Sequence, residues 1–415
     1  MKVGLIGAKL SHSFSKLIHE QLTDYQYDLI PLNEEELHQF MKEKKFDAIN
    51  VTIPYKETVI PYCDEVSEQA KAIGAINAIK NVHGKLIGTN TDFEGLMETI
   101  KHNNIQIKEK HCLVLGTGGT SKTACAVLKA MNAKSILIAG RNHAEGIIPY
   151  EELINYQQVQ VIINATSVGM YPNNHQQVVD CRTFTQLEAV ADVIYNPLKT
   201  KLTQQAESLN IAHANGLEML VTQAKIAAEF FLDKKIDDDK IMNIVKALQY
   251  DLSNLVLIGM PSSGKSTIAE HLAKRLNKKL VDFDLEIEKT YEMTIPTIFA
   301  NEGEESFRDK EQSICIKFAK ENAQILSCGG GIIKRSDNIE VLKQNGIFIH
   351  IKRDFDLLIA DESRPLSKNL DALKLMASER LPIYEAIADI EIENNATIEE
   401  VVNKIEEAYH EIFNY

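Results

Sequence analysis

The sequence predicts an α/β protein in which two nucleotide-binding domains follow one another along the chain. Two segments carry this prediction, because each joins a short apolar strand to a glycine-rich turn and then a helix: residues 111–131 and residues 254–276. Between them, strand and helix patterns alternate, as in a parallel sheet with crossover helices. At 415 residues, the chain is long enough for two or three domains of ~150 residues each.

The order of these patterns suggests where each domain begins. Residues 1–100 alternate between strand and helix before the first glycine-rich turn, and we interpret them as a substrate-binding domain completed by a helix over 216–235. Residues 101–215 then form a Rossmann-like domain that binds a dinucleotide. The charge-rich segment 236–253 is interpreted as a linker, and 254–415 as one further α/β domain.

Composition excludes several classes of protein. Hydrophobic residues make up 44% and charged residues 25% of the chain, as in globular rather than disordered proteins. The formal net charge of −14 argues against a nucleic-acid partner, which requires a basic face. Six scattered cysteines without a C-x-x-C pair indicate free thiols in a reducing compartment. With no apolar run of ~18 residues and no signal peptide, we expect a cytoplasmic protein that binds small molecules and no membrane.

The first glycine-rich turn has the features of a dinucleotide site. Gly116, Gly118 and Gly119 let the backbone turn tightly, and the following helix points its N-terminal N–H groups at a pyrophosphate. Ser121 replaces the third glycine of the usual fingerprint. At the end of the next strand Arg141 stands where an NAD-binding fold carries an acidic residue, and a guanidinium there favours the 2′-phosphate of NADP. A structural turn and an exposed arginine are the alternatives.

The N-terminal segment contains four clusters of polar residues near predicted strand ends. They are residues 11–15 (SHSFS), 50–56 (NVTIPYK), 74–79 (GAINAI) and 88–96 (GTNTDFEGL). Together they offer hydroxyls, amides, one lysine and one carboxylate, groups that could bind a polyhydroxylated acid. Any single cluster is better explained by a turn or a helix cap.

In this order the motifs resemble those of shikimate dehydrogenase. SHSxS, NVTxPxK, GAxN and xNTD precede the GxGG turn, NATSVGM at 164–170 and GLEMLVTQ at 216–223, so that the resemblance covers residues 1–235. It implies that Lys56 and Asp92 form a catalytic pair. It also implies two further sets of site residues: the substrate would contact Ser13, Ser15, Thr52, Asn77, Tyr195 and Gln223, and NADP would contact Gly116, Gly118, Gly119, Arg141, Thr166 and Gly216.

One departure from the family concerns coenzyme choice. NADP-using members often carry a second arginine shortly after the first, whereas residues 142–145 here read NHAE. The missing cation, and Glu145 in particular, predicts weaker discrimination between NADP and NAD.

The second glycine-rich turn, residues 259–266, matches G-x-x-x-x-G-K-[ST] and lies between a strand and a helix. Its amides would hold nucleotide phosphates, Lys265 would reach the β- and γ-phosphates, and the Ser266 hydroxyl would bind Mg²⁺. The expected nucleotide-binding residues are Gly259, Gly264, Lys265, Ser266 and Thr267. We place Asp282 and Asp284 on one strand, where alternate residues face the same way.

Further motifs downstream resemble those of shikimate kinase, over all of residues 254–415. They include Arg308, the glycine triplet 329–331, Arg364 in SRPL and Arg380. The resemblance implies a P-loop fold like that of the nucleoside-monophosphate kinases. It assigns Asp282 to Mg²⁺, and Asp284, Arg308, Gly330 and Arg380 to shikimate. It also assigns Arg364 to the phosphoryl group being transferred, and Asp284 to deprotonation of the attacking hydroxyl.

Together the two resemblances imply consecutive reactions of aromatic amino-acid biosynthesis: reduction of 3-dehydroshikimate with NADPH, then phosphorylation of shikimate with MgATP. Ser262 and the RPLS motif depart from the kinase family's commoner residues, and we expect modest effects on rate. Two alternatives are a catabolic quinate/shikimate dehydrogenase fused to a kinase and a non-catalytic sensor of pathway intermediates.

Overall fold

The computed structural model describes residues 1–10, 13–141, 144–358 and 370–413. The chain divides into two compact units, Met1–Val245 and Lys246–Tyr415. Each unit is built around parallel strands, which confirms the α/β class.

The N-terminal lobe of the first unit is a mixed six-stranded sheet with helices. Its strands are β1 (Val3–Gly7), β2 (Tyr27–Pro31), β3 (Ala48–Val51), β4 (Glu65–Val66), β5 (Ala78–Val82) and β6 (Lys85–Thr89), and its helices are α1 (Ser15–Leu22), α2 (Glu34–Glu43), α3 (Glu68–Ile73) and α4 (Asp92–His102), with a 3₁₀ turn at Ile60–Tyr62. The strand order is β2-β1-β3-β5-β6-β4. β1 pairs in parallel with β2 and β3, whereas β5 runs antiparallel to β3 and β6.

The second lobe is a parallel six-stranded sheet of the Rossmann kind. Its strands are β7 (His111–Leu115), β8 (Ser135–Gly140), β9 (Ile147–Pro149), β10 (Val161–Asn164), β11 (Ala189–Asp192) and β12 (Ala212–Ala214), and its helices are α5 (Gly119–Ala130), α6 (Lys201–Ser208) and α7 (Gly216–Leu232), with 3₁₀ turns at Tyr150–Asn155 and Cys181–Thr183. The order is β12-β11-β10-β7-β8-β9. All pairs are parallel, as the alternating pattern predicted.

Helix α7 packs back onto the N-terminal lobe. Ala227 and Phe231 join a buried cluster with Val3 and Tyr27 from β1 and β2. Gly95 of α4 has no side chain to separate the helices, since a Cβ there would lie 3.0 Å from the Met219 carbonyl oxygen. The close approach of α4 and α7 brings the polar residues of both helices to one site.

The second unit has five parallel strands between two layers of helices. Its strands are β13 (Asn254–Ile258), β14 (Lys279–Asp282), β15 (Gln324–Ser327), β16 (Gly346–Lys352) and β17 (Ile390–Glu393). Helix α8 (Asp239–Leu252) precedes β13, and the helices that follow are α9 (Lys265–Arg275), α10 (Phe283–Tyr291), α11 (Ile295–Ala319, interrupted at Gly303), α12 (Ser336–Lys343), α13 (Leu370–Ile387) and α14 (Ile398–Phe413), with 3₁₀ turns at Ile332–Lys334 and Phe355–Leu357. The order is β14-β15-β13-β16-β17, with separate apolar clusters on the two faces.

Two details differ from the sequence predictions. The segment 236–253, interpreted as a linker, contains helix α8, which begins in one compact unit and ends in the other. Asp284 belongs to helix α10 rather than to a strand, because the side chain of Asp282 accepts the first N–H groups of that helix and starts it there.

Two further findings concern the cysteines and the possibility of a membrane-spanning helix. All six cysteines are free, and four of them are buried. Among the described residues, no helix is both long and apolar enough to cross a membrane.

Candidate active sites

Lys56 and Asp92 form the central pair of the first unit. Lys56 follows β3, and Asp92 is the first residue of α4. The Lys56 Nζ lies 2.5 Å from Asp92 Oδ2, and their side chains are 17% and 9% exposed. A lysine held this way keeps its ammonium group at a fixed point while one face stays open to a ligand, as a proton donor requires.

Amide and hydroxyl groups lie beside this pair. Asn77 Oδ1 accepts a bond of 2.7 Å from the Thr91 backbone N–H, and Asn77 Nδ2 donates to Thr91 Oγ1 at 3.0 Å. Gln223 of α7 accepts from both, at 3.4 Å from Asn77 Nδ2 and from Thr91 Oγ1. The predicted residues Asn77 and Gln223 are therefore neighbours, although 146 positions separate them.

The serine motif meets the second lobe through aromatic contact. Phe14, between Ser13 and Ser15, packs against Tyr195 with ring centroids 5.6 Å apart. Ser13 Oγ accepts from the Ser15 backbone N–H at 3.3 Å, and Ser15 begins α1. Burial raises the pKa of Tyr195, so its hydroxyl stays protonated and able to donate. Thr52 is half-buried directly after β3.

The first glycine-rich turn has the geometry of an anion site. Gly116 has a φ of 109°, in the region that favours glycine, and Thr166 packs 3.1 Å from where its Cβ would be. Gly118 caps α5 and has open space around it, and Gly119 begins the helix. Ser121 Oγ donates to the Gly116 carbonyl at 2.6 Å. This hydrogen bond links the start of the turn to the first turn of α5. These groups fit a pyrophosphate.

The remaining predicted coenzyme residues lie at two strand ends. Arg141 directly follows β8 and is exposed, as is Glu145. Gly216 begins α7, where a Cβ would lie 2.0 Å from the Val193 carbonyl oxygen. The glycine at 216 is thus required by packing, whichever ligand lies nearby.

Sequence reasoning missed a buried carboxylate in the same lobe. Asp192 ends β11 and accepts from Thr200 Oγ1 at 2.7 Å, from Asn164 Nδ2 at 3.0 Å and from the Ile194 N–H at 3.0 Å. Burial raises its pKa to about 6. The network fixes the turn that carries Tyr195. The only signal in the sequence is an acidic residue inside an apolar strand pattern.

The phosphate loop of the second unit begins at the end of β13. Gly259 and Gly264 have φ values of 145° and 93°, which a side chain would oppose. The buried amine of Lys265 donates to the carbonyls of Gly259 at 3.0 Å and Met260 at 2.9 Å. Thr267 is exposed in the first turn of α9. The loop therefore presents its amides to an anion at the helix N-terminus.

Ser266 and Asp282 meet beside this loop. Ser266 Oγ donates to Asp282 Oδ2 at 2.9 Å, while Asp282 Oδ1 accepts from the backbone of Asp284. Among the described residues, no three His, Cys, Asp or Glu side chains are grouped to hold a metal ion. Nucleotide-bound Mg²⁺ needs few protein ligands because phosphates and waters supply the rest, so this pair of oxygen ligands fits it.

Arg308 lies in a second pocket with acidic neighbours. It is buried in α11 and donates to Glu311 Oε2 at 2.7 Å and to Glu304 Oε1 at 3.2 Å. Burial raises the pKa of Glu311, another residue that sequence reasoning missed. A Cβ on Gly331 would lie 2.2 Å from the guanidinium of Arg308. Arg308 is therefore held against the glycine triplet.

The other members of this pocket come from three elements. The Arg380 NH1 group lies 3.4 Å from where a Cβ of Gly330 would be, and Asp284 Oδ1 lies 2.9 Å from that of Gly329. Tyr384, missed from the sequence, donates to the Gly330 carbonyl. The Nε of Arg380 is buried without a hydrogen-bond partner among the described residues. The structure thus brings together Asp284, Arg308, Gly330 and Arg380.

The two kinase departures have different outcomes. Ser262 has a φ of 63°, the left-handed conformation in which glycine is favoured, so the glycine that the kinase resemblance leads us to expect here would fit the backbone without strain. Arg364 and the rest of the RPLS motif lie outside the described residues.

Comparison with known proteins assigns both units. The family model for the shikimate dehydrogenase substrate binding domain matches residues 5–79, and that for shikimate kinase matches residues 261–410. A shikimate dehydrogenase (NADP(+)) of Caldicellulosiruptor bescii is 37% identical over 257 residues, which cover 56% of this chain and 89% of the relative.

Solved structures agree with the first assignment. Shikimate dehydrogenase 1 from Peptoclostridium difficile is 33% identical, with a TM-score of 0.55 and coverage of 60% of this chain and 98% of the other. Shikimate 5-dehydrogenase from Thermus thermophilus, in complex with NADP(H) and shikimate, is 25% identical, with a TM-score of 0.55 and coverage of 60% and 99%. The chain therefore belongs to the shikimate dehydrogenase family and carries a shikimate kinase domain at its C-terminal end.

Proposed function

We propose that this chain catalyses two consecutive reactions. The first unit reduces 3-dehydroshikimate to shikimate with NADPH, and the second phosphorylates shikimate with MgATP to give shikimate 3-phosphate. One observation carries the proposal: the Lys56–Asp92 pair, the phosphate loop and a separate pocket with two buried arginines occur in a single chain. The product of one site is then the substrate of the other.

In the dehydrogenase, polar groups from both lobes would orient the substrate. The hydroxyls of Ser13 and Ser15 bind the carboxylate, and the amides of Asn77 and Gln223 bind ring hydroxyls. Tyr195 is placed to contribute from the second lobe, because it packs on Phe14. Binding from two lobes fixes the ketone relative to Lys56 and lowers the entropic part of the barrier.

Lys56 then acts on the reacting oxygen. NADPH, when bound at the first glycine-rich turn, supplies the hydride for the ketone carbon. Negative charge develops on the oxygen, and the Lys56 ammonium stabilises it and donates the proton. Asp92, 2.5 Å away, accepts a hydrogen bond from the ammonium group and so orients it toward the reacting oxygen.

We also propose that the first unit prefers NADP through Arg141, with reduced selectivity because Glu145 is exposed nearby. An Arg141→Ala variant should lose about 10-fold or more in kcat/KM for NADPH, since charge-assisted hydrogen bonds contribute about 1.5–3 kcal/mol. NADH kinetics should change little. An equal loss with both coenzymes, or a native preference for NADH, would contradict the assignment.

In the kinase, the two buried arginines would hold shikimate by its carboxylate. Asp284, 2.9 Å from the Cβ position of Gly329, accepts the proton of the attacking hydroxyl. Ser266 and Asp282 would hold Mg²⁺, and Lys265 would stabilise charge on the phosphates. We propose, from the family resemblance, that Arg364 stabilises the phosphoryl group during transfer.

Two separate assays test the proposal: NADPH oxidation with 3-dehydroshikimate, and ADP formation with shikimate and MgATP. Lys56→Met should lower the dehydrogenase kcat by about 10²–10⁴-fold and spare the kinase, and Lys265→Met should do the reverse. Exposed lysines provide controls, since Lys71→Met on α3 and Lys274→Met on α9 should leave both rates unchanged. A folded chain without either activity, or with a preference for quinate over shikimate, would refute the proposal.

A further inference from the structure

In the sheet of the second unit, two strands lie on each side of the central strand β13. The site residues that follow strands β14 and β15 all lie on one side of it. Asp282 follows β14, and the glycine triplet follows β15. In the strand order β14-β15-β13-β16-β17, these lie on one side of β13 and its phosphate loop. The residues that follow β16 and β17 lie on the other side. In a parallel sheet, ligands bind beyond the carboxyl ends of the strands.

Arg353 is the first residue after β16 and reaches the phosphate loop. β16 pairs with β13 along its length, with Ile258 opposite His350. The NH1 group of Arg353 lies 3.9 Å from the position of a Cβ on Gly264. The guanidinium is therefore next to the loop whose amides face an anion.

The loop after β17 completes this surface. Asn394 Nδ2 donates to the Ser263 carbonyl at 2.7 Å, and the Asn394 backbone N–H donates to the Lys352 carbonyl at 2.7 Å. Asn394 thus ties the phosphate loop to the chain just before Arg353. This contact holds the arginine backbone in place without using its side chain.

The charge of Arg353 is not balanced within the described part of the chain. No carboxylate there pairs with it, and its Nε is buried without a hydrogen-bond partner. Its neighbour Lys352, by contrast, pairs with Glu391 at 3.5 Å. The Arg353 side chain as a whole is only partly buried, so its charged guanidinium can still donate hydrogen bonds to a bound anion.

We infer that Arg353 is a nucleotide-binding residue of the kinase, which contacts the bound nucleoside di- or triphosphate from the β16 side of the phosphate loop. The inference rests on the proposed kinase function. Arg353 holds the nucleotide while the pocket around Arg308 holds the acceptor. It therefore acts on nucleotide affinity and not on shikimate affinity.

Calorimetric titration of the full chain tests this inference. Arg353→Met should weaken the Kd for MgADP about 10-fold or more, as expected for loss of a charge-assisted hydrogen bond. The Kd of Arg353→Lys for MgADP should lie between those of the wild type and Arg353→Met, because lysine keeps the positive charge but lacks the planar set of donors of the guanidinium. Lys352→Met is the matched control and should stay within about two-fold of wild type, because an exposed ion pair contributes little.

The Kd for shikimate shows whether Arg353→Met has lost only a nucleotide contact or has a general structural defect. It should be the same in wild type and Arg353→Met, whereas a general structural defect would weaken both ligands. Unchanged MgADP affinity in Arg353→Met, or an equal loss in Lys352→Met, would overturn the inference. Wild-type protein that binds MgADP but cannot phosphorylate shikimate would refute the proposed reaction and leave this inference standing. A wild-type chain that does not bind MgADP would overturn both.

Discussion

Gly331 and Arg308 show how closely single residues fit in the kinase pocket. Gly331 has φ and ψ of −98° and −2°, a conformation that any residue can adopt. The absence of a side chain is required only because the Arg308 guanidinium fills the space. Its role is therefore steric, and substitution by alanine should displace the arginine.

We predict that Gly331→Ala raises the KM for shikimate about 10-fold or more and leaves the KM for MgATP near wild type. The reason is that Arg308 must move from the position in which we propose that it binds the substrate carboxylate, and a charge-assisted hydrogen bond is then lost. Steady-state kinetics with each substrate varied in turn measures both values. Equal increases in the two KM values would instead indicate a general distortion.

His19 makes the stability of the first unit depend on pH. It is fully buried, its ring stacks on Tyr27 with centroids 4.1 Å apart, and its Nδ1 lies 2.7 Å from the Tyr25 hydroxyl. Burial lowers its pKa from 6.5 to about 3. The folded protein thus keeps His19 neutral at a pH where the unfolded chain binds a proton.

Neutral His19 makes its full contribution to the free energy of unfolding above pH ~6.5. This contribution is lost as the pH falls below ~6.5, because the unfolded chain then binds a proton that the folded protein does not. Between pH 7 and pH 5 we expect a loss of about 2 kcal/mol, since one pKa unit corresponds to about 1.4 kcal/mol. His19→Phe keeps the ring stacking and should remove this part of the slope. Urea-dependent hydrogen exchange of β1 and α1 measures it, and parallel slopes for the two proteins would contradict the assignment.

At the scale of elements, helix α8 depends on one buried lysine. Lys278 donates to the carbonyls of Tyr250 at 3.0 Å, Asp251 at 2.9 Å and Ser253 at 2.9 Å. Burial lowers its pKa to about 8, yet its partners are the carbonyl groups at the C-terminal end of the helix, which favour a cation. Tyr409 also donates to the Tyr250 carbonyl.

Replacing this lysine should destabilise the second unit. Lys278→Met keeps most of the apolar stem but leaves helix carbonyls without a donor, and we expect a loss of about 1–3 kcal/mol in the free energy of unfolding. The adjacent Lys279→Met is the control, because Lys279 is exposed and pairs with Glu321. It should change stability by less than about 0.5 kcal/mol. Urea unfolding distinguishes them, and equal midpoints would contradict the role of Lys278.

Local motifs were predictable, whereas their boundaries and distant contacts were not. Both glycine-rich turns could be located because their backbone geometry demands particular residues. Helix α8 was missed because a run of charges at its start hid the apolar spacing of Ile241, Ile244, Val245 and Leu248, all of which are buried. Asp284 fits the alternation of a strand equally well, and only the cap formed by Asp282 places it in a helix.

Contacts between residues far apart in the chain could not be predicted from the sequence. Phe14 packs on Tyr195, and Gly331 abuts Arg308, but each pair is joined only by the folded sheets. The periodic spacing of apolar residues predicts helices and strands but not which distant residues contact one another. Family resemblance assigned ligand contacts to Tyr195 and Arg308, and the geometry shows which residues they pack against.

At the scale of the whole molecule, a chain with a net charge of −14 carries two sites that we propose bind anions. The cations that would bind these ligands are concentrated in those sites, namely Lys56, Arg141, Lys265, Arg308 and Arg380. We expect the acidic net charge to disfavour binding of polyanions, while these local cations provide attraction for small anionic ligands. Two active sites in one chain also supply their activities in a fixed ratio.

The central claim is that both reactions occur on this chain in sequence. The 415-residue chain with 3-dehydroshikimate, NADPH and MgATP should form NADP⁺ and ADP in equal final amounts, with shikimate 3-phosphate as the product. Lys56→Met should abolish both signals, and added shikimate should restore ADP formation alone. Lys265→Met should remove only the ADP signal. ADP formed from 3-dehydroshikimate by Lys56→Met, or NADPH oxidation without any shikimate 3-phosphate in the wild type, would contradict the account.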